Sequence, residues 1–166
     1  MSNYAKINSM DVVNGEGIRV SIFFSGCSHH CKGCFNSELW DFNYGVLFTQ
    51  ETIDTIIELM KPDYIKGLSI LGGEPFDNIL NLEELCLSVK SVYSNKDIWV
   101  WTGYKIDYIK NPSCFKGVTN RILDNIDVLI DNRYEEDKRD LTLKWRGSSN
   151  QRIWRKINGL WVKDND

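Results

Sequence analysis

The sequence predicts an α/β fold whose largely parallel sheet forms an open, or partial, βα barrel. Three observations carry that prediction. Short β-rich runs alternate with amphipathic helical stretches, which is the pattern of βαβ units. A glycine-containing motif follows each of the first three strands. The chain has 166 residues, too few for a complete eight-fold barrel, which takes about 250.

The elements follow in order. "IRVSIFF", Ile18 to Phe24, alternates and is β-rich, so it reads as a strand leading into a cysteine loop. "TQETIDTIIELMK" opens with Thr49 as N-cap. It places Ile53, Ile56, Ile57 and Met60 on one helical face, and Pro62 stops it. "LSIL", Leu68 to Leu71, is a buried-strand run ending at Gly72-Gly73. Ile79, Leu82, Leu85, Cys86, Val89 and Val92 define a second amphipathic helix. "IWVWT", Ile98 to Thr102, is a third strand, with Trp99 and Trp101 on one face and Ile98 and Val100 on the other. A weaker helix over Val118 to Asn125 precedes a fourth strand, Asp127 to Asp131. No repeat, low-complexity tract or linker divides the chain, so residues 1–166 read as a single domain.

Composition narrows the function. Apolar residues make up 42% and charged residues 26%, an ordinary globular balance rather than a disordered one. A net charge of −3 argues against a nucleic-acid-binding protein. No stretch approaches the roughly 20 apolar residues of a membrane span, and "MSNYAKINSMDVVNG" lacks a secretory pattern. The expected location is the cytoplasm, where clustered thiols bind metal or do chemistry more often than they form disulfides. Five cysteines, an odd number, also fit a disulfide framework poorly.

Three of those cysteines lie within "SGCSHHCKGCFN": Cys27, Cys31 and Cys34. Thiolates suit zinc and iron–sulfur clusters alike. A structural zinc site wants four ligands and usually a distant second pair. None appears here, although His29 or His30 could supply a fourth ligand and the spacing alone leaves zinc open. A four-iron cluster on three thiolates leaves one iron with an open position, a liability for a pure electron carrier and an asset where a substrate binds iron. Gly26 and Gly33 would let the backbone bend closely around such a group. If the strands are parallel, the cysteine loop, Gly72-Gly73-Glu74-Pro75 and Thr102-Gly103-Tyr104 share one rim, where sites in such sheets collect.

Cys27-x-x-x-Cys31-x-x-Cys34 after one strand and Gly-Gly-Glu-Pro after the next resemble the radical S-adenosylmethionine family. "VNGEGIRVSIFFSGCSHHCKGCFN" is similar to the start of its glycyl-radical-enzyme activases. "DIWVWTGY" and "DVLIDNRYEEDKRDLTLKWRGSSNQRI" look like the subgroup that serves anaerobic (class III) ribonucleotide reductases; the likeness spans roughly residues 4–153. The resemblance implies a partial barrel of the radical S-adenosylmethionine type, with Cys27, Cys31 and Cys34 holding a [4Fe-4S] cluster. The open iron would be chelated by the amino and carboxylate groups of S-adenosylmethionine. Gly72, Gly73, Glu74 and Pro75 would seat its methionine end. Gly33, Cys34 and Phe35 would lie beside the nucleoside, with Phe35 against the adenine; many family members place an aromatic residue where Gly33 stands. Thr102 and Gly103 would reach a ribose hydroxyl.

The implied reaction is reductive cleavage to methionine and a 5′-deoxyadenosyl radical, which takes hydrogen from a glycine of the reductase large subunit. The implied partners are that subunit and an external one-electron donor such as a flavodoxin. Asn14 to Arg19 could meet the incoming segment of the partner. "KWRGSSNQRIWRK", Lys144 to Lys156, reads as a solvated basic segment, or else as a docking patch through Arg146, Arg152 and Arg155. His29 and His30 are expected at the loop surface, Cys86 in the core and Cys114 in a loop. A small-molecule radical enzyme, such as the one that builds the carboxy-deazaguanine precursor, fits less well with "WRGSSNQR" and with the short chain. A zinc module that binds a protein is the third class.

Overall fold

The computed structural model describes residues 2–115 and 119–165. Its strands are β1 (Asn3–Asp11), β2 (Ile18–Phe24), β3 (Val46–Leu47), β4 (Ile65–Gly72), β5 (Asp97–Trp101), β6 (Val128–Asp131), β7 (Arg152–Ile157) and β8 (Leu160–Lys163). The helices are α1 (Gln50–Leu59), α2 (Ile79–Val92), α3 (Ile106–Lys110) and α4 (Thr119–Asn125). The strands form one open sheet in the order β3-β1-β2-β4-β5-β6-β7-β8.

The four expected strands are its parallel centre: β2 pairs with β4, β4 with β5 and β5 with β6, all parallel. The parallel centre sits within a mixed sheet. Antiparallel strands β1 and β3 flank one side, and β7 and β8 the other. The β7–β8 hairpin runs through the segment read from sequence as a solvated or docking patch. Its turn is Asn158-Gly159, both at positive φ (50° and 77°), the geometry that type I′ hairpin turns demand.

The helices form as their patterns dictate. Thr49 caps α1, and Thr52 Oγ1 returns a bond to the Thr49 N–H at 3.1 Å. The α1 face buries Ile53 and Ile56, with Met60 closing the helix end. In α2, Leu82, Leu85, Cys86 and Val89 are buried, whereas Val92 is exposed at the last turn. Val118, the expected start of the weaker helix, lies outside the described residues. The short α3 went unforeseen because five residues are too few to show a helical period.

These helix faces meet the strand residues Val20, Ile22, Leu68, Ile70, Ile98, Val100 and Leu129 in one continuous core. The alternate strand positions point the other way. There Trp99, Val128, Ile130 and Ile153 make one small cluster, and Phe23, Leu39 and Leu71 another. As expected, Trp99 and Trp101 share that second face, with ring centroids 5.9 Å apart. Arg19 is also there, fully buried, with Nη1 2.6 Å from Asp97 Oδ1 and Nε donating to Ser69 Oγ at 2.7 Å. Arg19 is therefore a structural cation inside the sheet. It is not available to meet a partner. Because β2, β4, β5 and β6 run in parallel, their carboxyl ends align along one rim of this second face.

Candidate functional site

A cavity of about 500 Å³ opens on that face, within the range of small-molecule sites. Its walls come from all four parallel strand ends. Cys27, His29, Cys31, Cys34 and Phe35 follow β2, and Gly72, Gly73 and Glu74 close β4. Thr102 and Gly103 follow β5, and Asn132, Arg133 and Tyr134 follow β6. Phe23, Leu71 and Trp101 form part of its floor. The three motifs singled out from sequence thus line one cavity. Pro75 does not line it; buried, it opens a short 3₁₀ turn over Pro75–Asn78.

The fourth wall was missed, although the rule that sites gather at strand carboxyl ends pointed to Asp131-Asn132-Arg133 as well. Leu141, Leu143, Trp145, Arg146, Gly147 and Gln151 complete it from the segment between β6 and β7. Those residues belong to an irregular stretch with no period to read.

Each thiol is uncombined. Burial pushes the Cys27 thiol up to about 11, opposed by the backbone N–H groups of His29 and His30. Burial and the neighbouring Cys34 raise Cys31 as well, while the Arg133 charge pulls it back. Without a metal the Cys27 and Cys31 sulfurs hold their protons, and a bound cationic group would be needed to keep them as thiolates. Cys86 lies in the core beneath the opposite face and Cys114 in an exposed loop, so neither adds a fourth thiol.

The backbone of the loop depends on glycine at two places. Gly33 has φ +74°, and a Cβ there would lie 2.0 Å from Glu136 Oε2. At Gly26, φ +93°, a Cβ would strike the Phe42 ring at 2.2 Å. The close approach at Gly26 is thus to Phe42, which packs under the loop.

Glu74 is the electrostatic centre. It is 1% exposed and accepts four bonds. Oε1 takes the Phe76 N–H at 3.0 Å and the Thr102 hydroxyl at 2.8 Å. Oε2 takes the Gly103 N–H at 2.7 Å and lies 2.9 Å from His29 Nε2. The carboxylate read from sequence as a contact for an ammonium is committed to the protein's own donors, and Thr102 and Gly103 point donors at it. His29, expected at the surface, has a side chain only 3% exposed. His30 is the exposed one, stacked on Trp40 at 4.7 Å.

Phe35 is half exposed at the rim, 5.2 Å from Tyr134, with the Arg139 guanidinium over its ring. Two arginines of the basic segment, Arg152 and Arg155, are partly buried and paired. Arg152 makes a two-pronged pair with buried Asp131 at 2.8 and 2.5 Å, and Arg155 pairs with Glu16 and Asp164 at 2.8 Å each. Arg146 lines the cavity and donates to the Gln151 carbonyl at 3.3 Å.

With this geometry in place, comparison with known proteins becomes specific. Residues 13–154 match the family described as "4Fe-4S single cluster domain". The chain is 40% identical over 164 residues to the anaerobic ribonucleoside-triphosphate reductase-activating protein of Enterobacteria phage T4, covering 98% of this chain and 99% of the relative. The chain belongs to that activating-protein family. The protein of the same name from Pasteurella multocida (strain Pm70) is 41% identical over 157 residues, 92% of this chain and 97% of the relative. That from Escherichia coli (strain K12) is 39% identical over 153 residues, 90% and 96% respectively.

The donor set fits the cluster that the family description names. Three thiols from one loop face one cavity, and backbone N–H groups already approach the Cys27 sulfur. Among the described residues, no three His, Cys, Asp or Glu side chains gather closely enough to hold a metal ion as they stand. His29 turns Nε2 to Glu74 rather than to the thiols. Among the described residues no helix is long and apolar enough to cross a membrane.

Proposed function

We propose that this protein is a radical S-adenosylmethionine activase that installs a glycyl radical on the large subunit of an anaerobic ribonucleotide reductase. The observation that carries the reading is the convergence of Cys27, Cys31 and Cys34 with Gly72-Gly73-Glu74 and Thr102-Gly103 on one cavity, in a chain of the activating-protein family. We read residues 1–166 as one activase domain, its open sheet as a partial βα barrel of the radical S-adenosylmethionine type, and its location as cytoplasmic.

Cys27, Cys31 and Cys34 would hold a [4Fe-4S] cluster, which would supply one-electron reduction of S-adenosylmethionine, with the electron drawn from a donor such as a flavodoxin, for cleavage to methionine and a 5′-deoxyadenosyl radical that would take hydrogen from a glycine. The residues of the chain bind and orient. The Gly72-Gly73 backbone, with no Cβ in the way, seats the methionine end, and Glu74 fixes that turn from behind. Gly33 to Phe35 flank the nucleoside, with the exposed Phe35 ring available to the adenine. Arg133 and Arg146 bring positive charge to a cavity that must accept a carboxylate. Phe23, Leu71, Trp101 and Trp145 present apolar surface that excludes water from a reactive radical.

The test is anaerobic. Reconstituted with iron and sulfide, reduced, and given S-adenosylmethionine, the protein should release 5′-deoxyadenosine. Release should vanish in Cys27→Ala, Cys31→Ala and Cys34→Ala. A protein isolated with one zinc and no such product would overturn the reading.

A further inference from the structure

The site is assembled from separate strand ends, and something must fix their spacing. Two bonds donated by backbone N–H groups tie the start of the cysteine loop to the turn after β4: Glu74 N–H to the Gly26 carbonyl at 2.8 Å, and Ser28 N–H to the Asp77 carboxylate (Oδ2) at 2.7 Å. The middle of the loop, between Cys27 and Cys31, is reached by the His29 side chain. Because the Glu74 carboxylate only accepts, His29 must carry its hydrogen on Nε2. The same Glu74 oxygen takes the Gly103 N–H, so one atom joins the ends of β2, β4 and β5.

The slot that holds the imidazole is built for it. A Cβ at Gly103 would lie 2.4 Å from His29 Cδ2 and 2.7 Å from Nε2, so any larger residue there would displace the ring. Tyr104 closes another side, edge-on at 4.4 Å. Tyr104 is held in turn by Asp77, to which its hydroxyl donates at 2.7 Å. Among the described residues the buried Nδ1 has no partner, and the ring's one hydrogen bond there is the bond to Glu74.

We propose that His29 is a positioning residue: its Nε2–H bond to Glu74 fixes the cysteine loop against the Gly72-Gly73-Glu74 turn and sets the distance that bound S-adenosylmethionine must span. This rests on the functional reading above, in which the methionine end of the cofactor is held by its amino and carboxylate groups beside the thiols and is seated against the turn. A misplacement of about 1 Å between such anchors costs as much as about 10²-fold in rate.

Three variants separate the two ring nitrogens. The amide of His29→Gln reaches the place of Nε2, that of His29→Asn the place of Nδ1, and His29→Ala reaches neither. In the reconstituted enzyme, Ala and Asn should raise the KM for S-adenosylmethionine about tenfold, the worth of one hydrogen bond to a charged group. Iron content should be unchanged, and Gln should restore KM to within about threefold of the parent. In the metal-free protein, amide hydrogen exchange at Gly103 should quicken about tenfold in Ala and Asn and recover in Gln. KM and exchange in His29→Ala equal to the parent, or Asn restoring function better than Gln, would overturn the proposal. If the parent itself makes no 5′-deoxyadenosine, the functional reading fails alone, and Gly103 exchange still decides whether His29 fixes the loop.

Discussion

The two faces of the sheet are built from opposite materials. Under the helices lie Val20, Ile22, Phe24, Leu68, Ile70, Ile98, Val100 and Leu129, apolar without exception. On the other face of the same strands, beside apolar residues such as Phe23, Leu71 and Ile130, stand Arg19, Ser21, Ser69, Trp99 and Trp101, bound into a polar and aromatic network. One face holds the chain together by removing apolar surface from water. The other holds a site in position, and its residues are kept in place by partners rather than by volume alone. Stability and function should therefore separate by face.

The largest contrast is between Leu85→Ala and Glu74→Ala. Leu85 is fully buried under the sheet, so its truncation should cost about 2–5 kcal/mol by urea unfolding. Turnover per folded molecule should be unaltered. Glu74→Ala strands four donors at the rim, two of them buried. It should also cost several kcal/mol, but 5′-deoxyadenosine formation should fall by at least 10² under conditions where the protein is still folded. Equal loss of turnover in both variants would erase the distinction between the faces.

Arg19→Ala tests whether the cavity face also carries stability. The variant leaves Asp97 without its cation and Ser69 without a donor. A buried pair broken on one side costs about 3–5 kcal/mol. Asp97 is 26% exposed and can recover water, so about 3 kcal/mol is expected.

The helix face was legible because its signal is a period. Ile53-Ile56-Met60 and Leu82-Leu85-Cys86-Val89 repeat at helical spacing, and each came out buried. The three cysteines and Gly72-Gly73 were legible as motifs at strand ends. The inner network was not, because nothing in the string links His29 to Glu74, 45 residues later, or Arg152 to Asp131. A run of basic residues looks the same in sequence whether solvated or paired; here Arg152 and Arg155 are paired. The β7–β8 hairpin did carry a signal, Asn158-Gly159 between alternating apolar residues, which the charge pattern obscured. β1 is a long, mostly half-buried strand whose polar positions weaken the apolar alternation.

A smaller effect compares two thiols, one per face. Burial pushes Cys86 up to about 12 and Cys27 up to about 11, from 9.0. Above pH 9 the unfolded chain releases these protons while the native metal-free protein keeps them, so native stability falls as pH rises. For fully buried Cys86 the slope is about 1.4 kcal/mol per pH unit. Urea unfolding between pH 8 and 10 should show the loss, and Cys86→Ala should make it shallower. Loading the cluster should remove the share of Cys27 and leave that of Cys86.

The smallest expected change lies far from both faces. Gly159 sits at φ +77° with open space around its Cα, so Gly159→Ala meets no atom but strains the backbone. It should lower stability by about 1 kcal/mol, seen as a shift in the unfolding midpoint with no change in 5′-deoxyadenosine formation.

The central claim is that the cavity serves a protein substrate. The direct measurement is an anaerobic electron paramagnetic resonance spectrum of the reductase large subunit, taken after incubation with this protein, reductant and S-adenosylmethionine. The account predicts a glycyl radical signal that appears with the parent protein and is absent with Cys31→Ala. Steady 5′-deoxyadenosine release with no radical on the large subunit would contradict it and turn the cavity over to a small-molecule substrate.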